Sequence, residues 1–180
     1  YNYKYDYIKP SKFKNMKKID KPLIIQKVIA LLSENVKSLE SSLTGINGAI
    51  NDAPGAMQSH SDTTRSQLTS VMNTAHKSFK EKMEELESLR KFSGKDMSGV
   101  KINESQVGVI IVLKKENNTI ENYFLLPAGS GIRVEHEGKK IICLTPISPL
   151  GQVLLGKKKG GKFLLKVGSI SQNVEVLDLV

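Results

Sequence analysis

The feature that most constrains this chain is a helical seam interrupted once. From Leu32 the apolar residues Leu32, Val36, Leu39, Leu43, Ile46 and Ile50 advance in alternating steps of four and three. That spacing keeps one stripe of a helix turned toward a partner helix. Ile24 and Val28 lead into the seam, and Ser33, Glu34, Lys37, Ser38, Glu40 and Ser41 fill the opposite face. A second seam runs through Leu68, Met72, Ala75, Phe79, Met83, Leu86 and Leu89 and stops near Phe92, Ser93 and Gly94. Between the two, Pro54-Gly55 cannot continue a helix, and a short connection between two seams makes the helices antiparallel neighbours. The pattern predicts a hairpin over residues 16–95 with its tip near 51–62. Arms of about 30 residues reach about 45 Å at a rise of 1.5 Å per residue.

Local signals support the helix ends. Pro22 suits a first helical turn with Asp20 or Lys21 before it, and Ser59 or Ser61 is a fair N-cap for the second helix. Gly45 and Gly48 each cost up to about 1 kcal/mol inside a helix, so the end near the tip is expected to be the looser one. Periodicity alone admits a plain structural or dimerising coiled coil.

After Gly94 the texture changes to short β-branched runs. Strands are expected at Val107–Lys114, Ile120–Leu126, Lys139–Leu144, Lys162–Val167 and Asn173–Leu179, with Asn117-Asn118 as a hairpin turn. The stretch 93–99 has linker composition, so residues 100–180 are expected to form a domain that folds by itself. Within it, Ser148 followed by Pro149 reads as an N-cap and a first-turn proline. Gly156 closes a short helix that turns Leu150, Val153 and Leu154 inward. The fold class is therefore α+β, a long helical hairpin followed by a small β-rich domain. Residues 1–15 contain no Met and no apolar pattern, and are read as a disordered or non-native extension.

The net charge of +9 invites a nucleic-acid reading, so its location matters. Residues 1–22 hold seven Lys against two Asp, residues 23–92 hold eight basic and eight acidic residues, and residues 93–180 hold twelve basic and eight acidic. The hairpin is thus neutral, which disfavours a helix that tracks DNA. Aromatic residues cluster in the first thirteen positions, leaving no platform for stacked bases. No apolar run is long enough to span a membrane and no secretory signal is visible, so a cytoplasmic address is expected. The lone Cys143 sits in an apolar run and reads as a core thiol.

The segment from Thr145 to Phe163 contains Ser148-Pro149-Leu150-Gly151, then Leu154-Leu155-Gly156-Lys157-Lys158, flanked by two strands. This resembles the C-terminal domain of the Gre transcription elongation and transcript-cleavage factors. The closing Asn173–Leu179 resembles that domain's last strand, and Leu125–Gly129 with Lys139–Ile142 resembles a divergent branch. The likeness covers roughly residues 105–180; for the hairpin it rests on architecture. It implies an FKBP-like domain, a label that does not itself imply isomerase activity, that docks on bacterial RNA polymerase beside the secondary channel. Ser148, Pro149, Leu150, Gly151, Leu154, Gly156 and Lys157 belong to the motif that marks the docking domain. The hairpin then enters the channel and meets transcribing nucleic acid only indirectly. A non-enzymatic monomer with no cofactor of its own and no membrane partner is expected.

At the tip, Gre cleavage factors carry paired acids that help hold a second magnesium ion, because phosphoryl chemistry needs charge neutralised on the reacting oxygens. Here the nearest match is Asp62-Thr63-Thr64-Arg65, with Arg65 where the second acid would stand, and Asp52 on the other arm. The resemblance therefore favours a modulator without strong cleavage stimulation, any magnesium being shared with the polymerase. Asp52, His60, Asp62 and Arg65 are the candidate tip residues. The run Ser59-His60-Ser61-Asp62 does not make a hydrolase, because consecutive side chains diverge. His76 and His136 lack metal-ligand partners at productive spacing. The rival readings are a coiled-coil interaction protein with another partner and a basic nucleic-acid-binding module.

Overall fold

The computed structural model describes residues 19–53, 64–94, 102–167 and 170–180. Two long helices come first. α1 spans Lys21–Asp52, and the Asp20 side chain caps it by accepting the Leu23 N–H at 3.1 Å, with Pro22 in the first turn. α2 spans Thr64–Ser93 and packs along α1. No helix among the described residues is long and apolar enough to cross a membrane.

The seam is not evenly buried. In α1, Ile24, Val28, Leu32, Val36 and Leu43 are buried, whereas Leu39, Ile46 and Ile50 are half-buried. In α2 only Leu86 and Leu89 are buried; Leu68, Met72, Ala75 and Phe79 are half-buried and Met83 is exposed. Burial fades from the base of the hairpin toward its tip.

A six-stranded sheet follows, built from β1 (Ile110–Lys115), β2 (Ile120–Leu125), β3 (Arg133–His136), β4 (Lys139–Leu144), β5 (Lys162–Val167) and β6 (Ile170–Leu179). A short helix, α3 (Pro149–Leu154), lies between β4 and β5. The strand order is β3-β4-β2-β1-β6-β5, antiparallel except for the β2–β4 pair. Five of these strands lie where the β-branched runs place them. β3 is the addition, a four-residue strand whose Val134 and His136 are buried while Arg133 and Glu135 are exposed. It turns into β4 through Glu137 and Gly138, both at positive φ (49° and 70°), the backbone of a tight hairpin turn. The expected start of β1 also moves: Val107-Gly108 is a turn, with Gly108 at φ 92°, and the strand begins at Ile110.

Both faces of the sheet are covered, for reasons visible in the strand alternation. On one face Ile110, Phe124, Val134, Ile141 and Cys143 join Leu126 and Ala128 in a single cluster with Ile24, Ile25, Val28, Leu32, Leu86 and Leu89 of the hairpin base. On the other face Ile111, Leu113, Tyr123, Leu125, Leu144 and Val176 pack with Leu154 of α3. Helices and sheet thus share one core, and the face beneath the hairpin would be bare in a fragment of residues 100–180. Gly129 marks the closest approach. It lies at φ +82°, and a Cβ there would stand 3.0 Å from Val28 Cγ1. Asn122 Oδ1 and His136 Nε2 are buried and find no hydrogen-bond partner among the described residues.

Candidate functional site

Two groups of candidate residues lie on different parts of the molecule. Asp52 is the last residue of α1, exposed, and followed by Ala53 in extended conformation. Arg65 is the second residue of α2, also exposed. A helix C-terminus disfavours a carboxylate and an N-terminus disfavours a cation, so neither charge stabilises the helix end it occupies. Among the described residues no ion pair joins them. His60, Asp62 and the proposed caps Ser59 and Ser61 lie outside the described residues.

The second group is built around α3 and is held by local chemistry. The Ser148 hydroxyl donates to Thr145 O at 2.7 Å and accepts the Gly151 N–H at 3.1 Å, with Pro149 at the first helical position. Gly151 is there because nothing else fits: a Cβ would stand 1.9 Å from Thr145 O. Leu154 is fully buried, Leu150 and Val153 half-buried. Leu155 ends the helix and Gly156 reverses the chain at φ +74°.

Ser105 locks this turn from a distance. Its hydroxyl donates to Leu154 O and accepts the Lys157 N–H at 2.7 Å. Its backbone donates to Lys157 O and accepts from Gly156 N–H, both at 2.8 Å. Ser105 is 1% exposed. Sequence reasoning missed it, because its partners lie about fifty positions away and no motif surrounds it. Beyond the turn, Lys157 Nζ sits 4.8 Å from the centre of the Phe163 ring, and Lys159 pairs with Asp178 at 2.6 Å. Two lysines of the basic run are therefore engaged within the domain.

Around α3 the surface is apolar in part. Ile147, just before the helix, is 83% exposed, and Leu155 just after it is 44% exposed. The two apolar side chains flank the capped helix in the chain. Burial pushes the Cys143 thiol up to about 12, so it stays protonated and unreactive. Glu121 is pulled below its usual range: burial opposes this, but hydrogen bonds from Lys115 and Tyr123 and the Lys115 charge outweigh it. Among the described residues no three His, Cys, Asp or Glu side chains gather as a metal site.

No protein-family model matches the chain, and no curated protein matches it. Solved structures do. The GreA factor homolog 1 protein of Thermus thermophilus is similar over 84% of this chain and 94% of its own, at 14% identity and a TM-score of 0.34. Its counterpart from Thermus aquaticus is similar over 83% and 92%, at 15% identity and 0.36. A GreA/GreB elongation factor from Nitrosomonas europaea is similar over 54% and 78%, at 15% identity and 0.34.

Proposed function

We propose that the chain is a transcription elongation regulator that binds RNA polymerase through its sheet domain and inserts the helical hairpin into the secondary channel. One observation carries the reading. The hairpin is a rod, about 48 Å long for the 32 residues of α1, gripped by the sheet at its base and only lightly packed toward its far end. Such a part reaches; it does not enclose a substrate. The resemblance of residues 105–180 to Gre factors supplies the partner. The capped α3 turn, with Ile147 and Leu155 exposed beside it, supplies an adhesive surface on the domain expected to dock.

The tip chemistry supports modulation over cleavage. Asp52 and Arg65 bring one carboxylate and one guanidinium to the two helix ends. Magnesium takes oxygen ligands, and the Arg65 guanidinium supplies none where a second acid would stand. Asp62 is the remaining acid of the segment between them. In this reading Asp62→Asn keeps polymerase binding, because the contact lies in the sheet domain, yet changes the effect on elongation. The test is a pull-down with core RNA polymerase, followed by elongation and cleavage of backtracked complexes with wild type, Asp52→Asn, Asp62→Asn and His60→Ala. Failure to retain polymerase would remove the reading, and salt-sensitive DNA binding without polymerase would replace it with the nucleic-acid module. Retained binding with an unchanged effect of Asp62→Asn and a lost effect of Asp52→Asn or His60→Ala would move the tip function to another residue.

A further inference from the structure

The fold treats the two edges of its sheet differently. β3, the first edge, is four residues long, and α1 lies against it. Lys27 of α1 donates its Nζ to Glu135 O at 2.7 Å, so a backbone acceptor of that strand already has a partner from the hairpin. β5, the other edge, is six residues long and pairs with β6 through an unbroken register. An edge strand presents a row of backbone donors and acceptors to any chain that approaches it.

The register fixes which groups of β5 face outward. Val176 N–H donates to Gly161 O at 2.9 Å. In an antiparallel ladder hydrogen-bonded pairs alternate with non-bonded ones. Counting on from Gly161, Phe163 and Leu165 turn their peptide groups toward Val174 and Gln172 of β6. The N–H and C=O of Lys162, Leu164 and Lys166 therefore point away from the sheet. The same three residues are exposed as side chains, all on one face, with Leu164 49% exposed between the two lysines. Glu175 stands opposite Lys162, yet among the described residues neither Lys162 nor Lys166 forms an ion pair.

We propose that the β5 edge receives an extended acidic segment of a partner protein as one more strand of the sheet. The spacing defines the segment: an acid opposite Lys162, an apolar residue opposite Leu164, and an acid opposite Lys166, on alternate positions of one strand face. Positions on its other face lie beside Phe163, which packs against the cluster of α3, and the buried Leu165, and apolar residues suit them. Charge decides against a second copy of this chain, since antiparallel pairing of two β5 edges centred on Leu164 sets Lys162 opposite Lys166. Lysines on an edge also discourage indiscriminate pairing; here they do so while leaving an acidic strand acceptable. Backbone bonds supply affinity and the flanking lysines supply selection, the division of labour in strand addition. The inference does not rest on the polymerase reading, since it uses the backbone groups of a sheet edge rather than the side chains beside α3.

The test is fluorescence anisotropy with the full chain and a labelled peptide whose core is Glu-Val-Leu-Val-Glu. Three comparisons are made: the same peptide with lysine for both glutamates, and two versions N-methylated along one strand edge or the other. N-methylation leaves charge and side chains in place but removes the backbone donors of one edge. The expected result is saturable binding by the acidic peptide, at least about tenfold weaker for the lysine peptide and for the K162E/K166E chain. One N-methylated version should weaken by a similar factor and the other should not. Equal binding by both N-methylated peptides would reduce the contact to surface charge and overturn the proposal. So would no saturable binding, or unchanged binding by the double variant, whose substituted side chains are exposed and leave the core intact.

Discussion

The two ends of the hairpin are made from one seam and held by different means. At the base, Ile24, Val28, Leu32, Leu86 and Leu89 are buried, because each meets the partner helix or the sheet as part of one cluster. Toward the tip, Leu68, Met72 and Ala75 have the same spacing but stay half-buried, since a two-helix rod covers only one side of each residue. Gly45 and Gly48 lie in that half with nothing within 4 Å of the position a Cβ would take. Identical periodicity therefore does not mean identical stabilisation. The third layer, supplied by the sheet, makes the base a core and leaves the distal half an arm.

Substitutions break this comparison in graded steps. Leu89→Ala, at a fully buried position, should cost about 2–5 kcal/mol. Leu68→Ala, at the first, half-buried position of the same seam near the tip, should cost about 1 kcal/mol or less. Urea unfolding of both variants checks this, and equal losses would erase the distinction. Gly129→Ala comes next, at about 1–3 kcal/mol, because a side chain at φ +82° is strained and crowds Val28. Its loss should shrink in a Val28→Ala background, and a double-mutant cycle without coupling would detach the sheet from the hairpin base. The smallest step has the opposite sign. Gly45→Ala and Gly48→Ala should each stabilise the arm by up to about 1 kcal/mol. Hydrogen exchange of the amides between Leu39 and Asp52 should slow in both.

Much of this architecture is legible in the sequence, and what escapes does so for identifiable reasons. The hairpin shows itself because a period of seven is a long-range regularity, and the Ser148 cap because its chemistry spans only three residues. The junction with the sheet hides in the run Leu23-Ile24-Ile25, where a second apolar stripe cannot be told from the first; Ile25 is buried beside Ile24 in the shared cluster. β3 hides because two of its four residues are charged and its turn depends on Glu137 adopting a positive φ. Ser105 hides because a clamp between distant segments has no local pattern. Of the four tip candidates, Asp52 and Arg65 are placed at the helix ends, while His60 and Asp62 lie outside the described residues.

Cys143 offers the most direct measurement of the central claim, that hairpin and sheet share one core. It is fully buried on the sheet face that the hairpin base covers, and its thiol is held protonated up to about 12. Labelling the native full chain with an excess of a chromogenic disulfide reagent reads its exposure over time. The account predicts that reaction occurs only through unfolding, so that its rate follows the denaturant dependence of global stability and rises far more in Leu89→Ala than in Leu68→Ala. Rapid labelling of the native chain, at the rate of a free thiol and indifferent to both substitutions, would show that the hairpin does not cover that face.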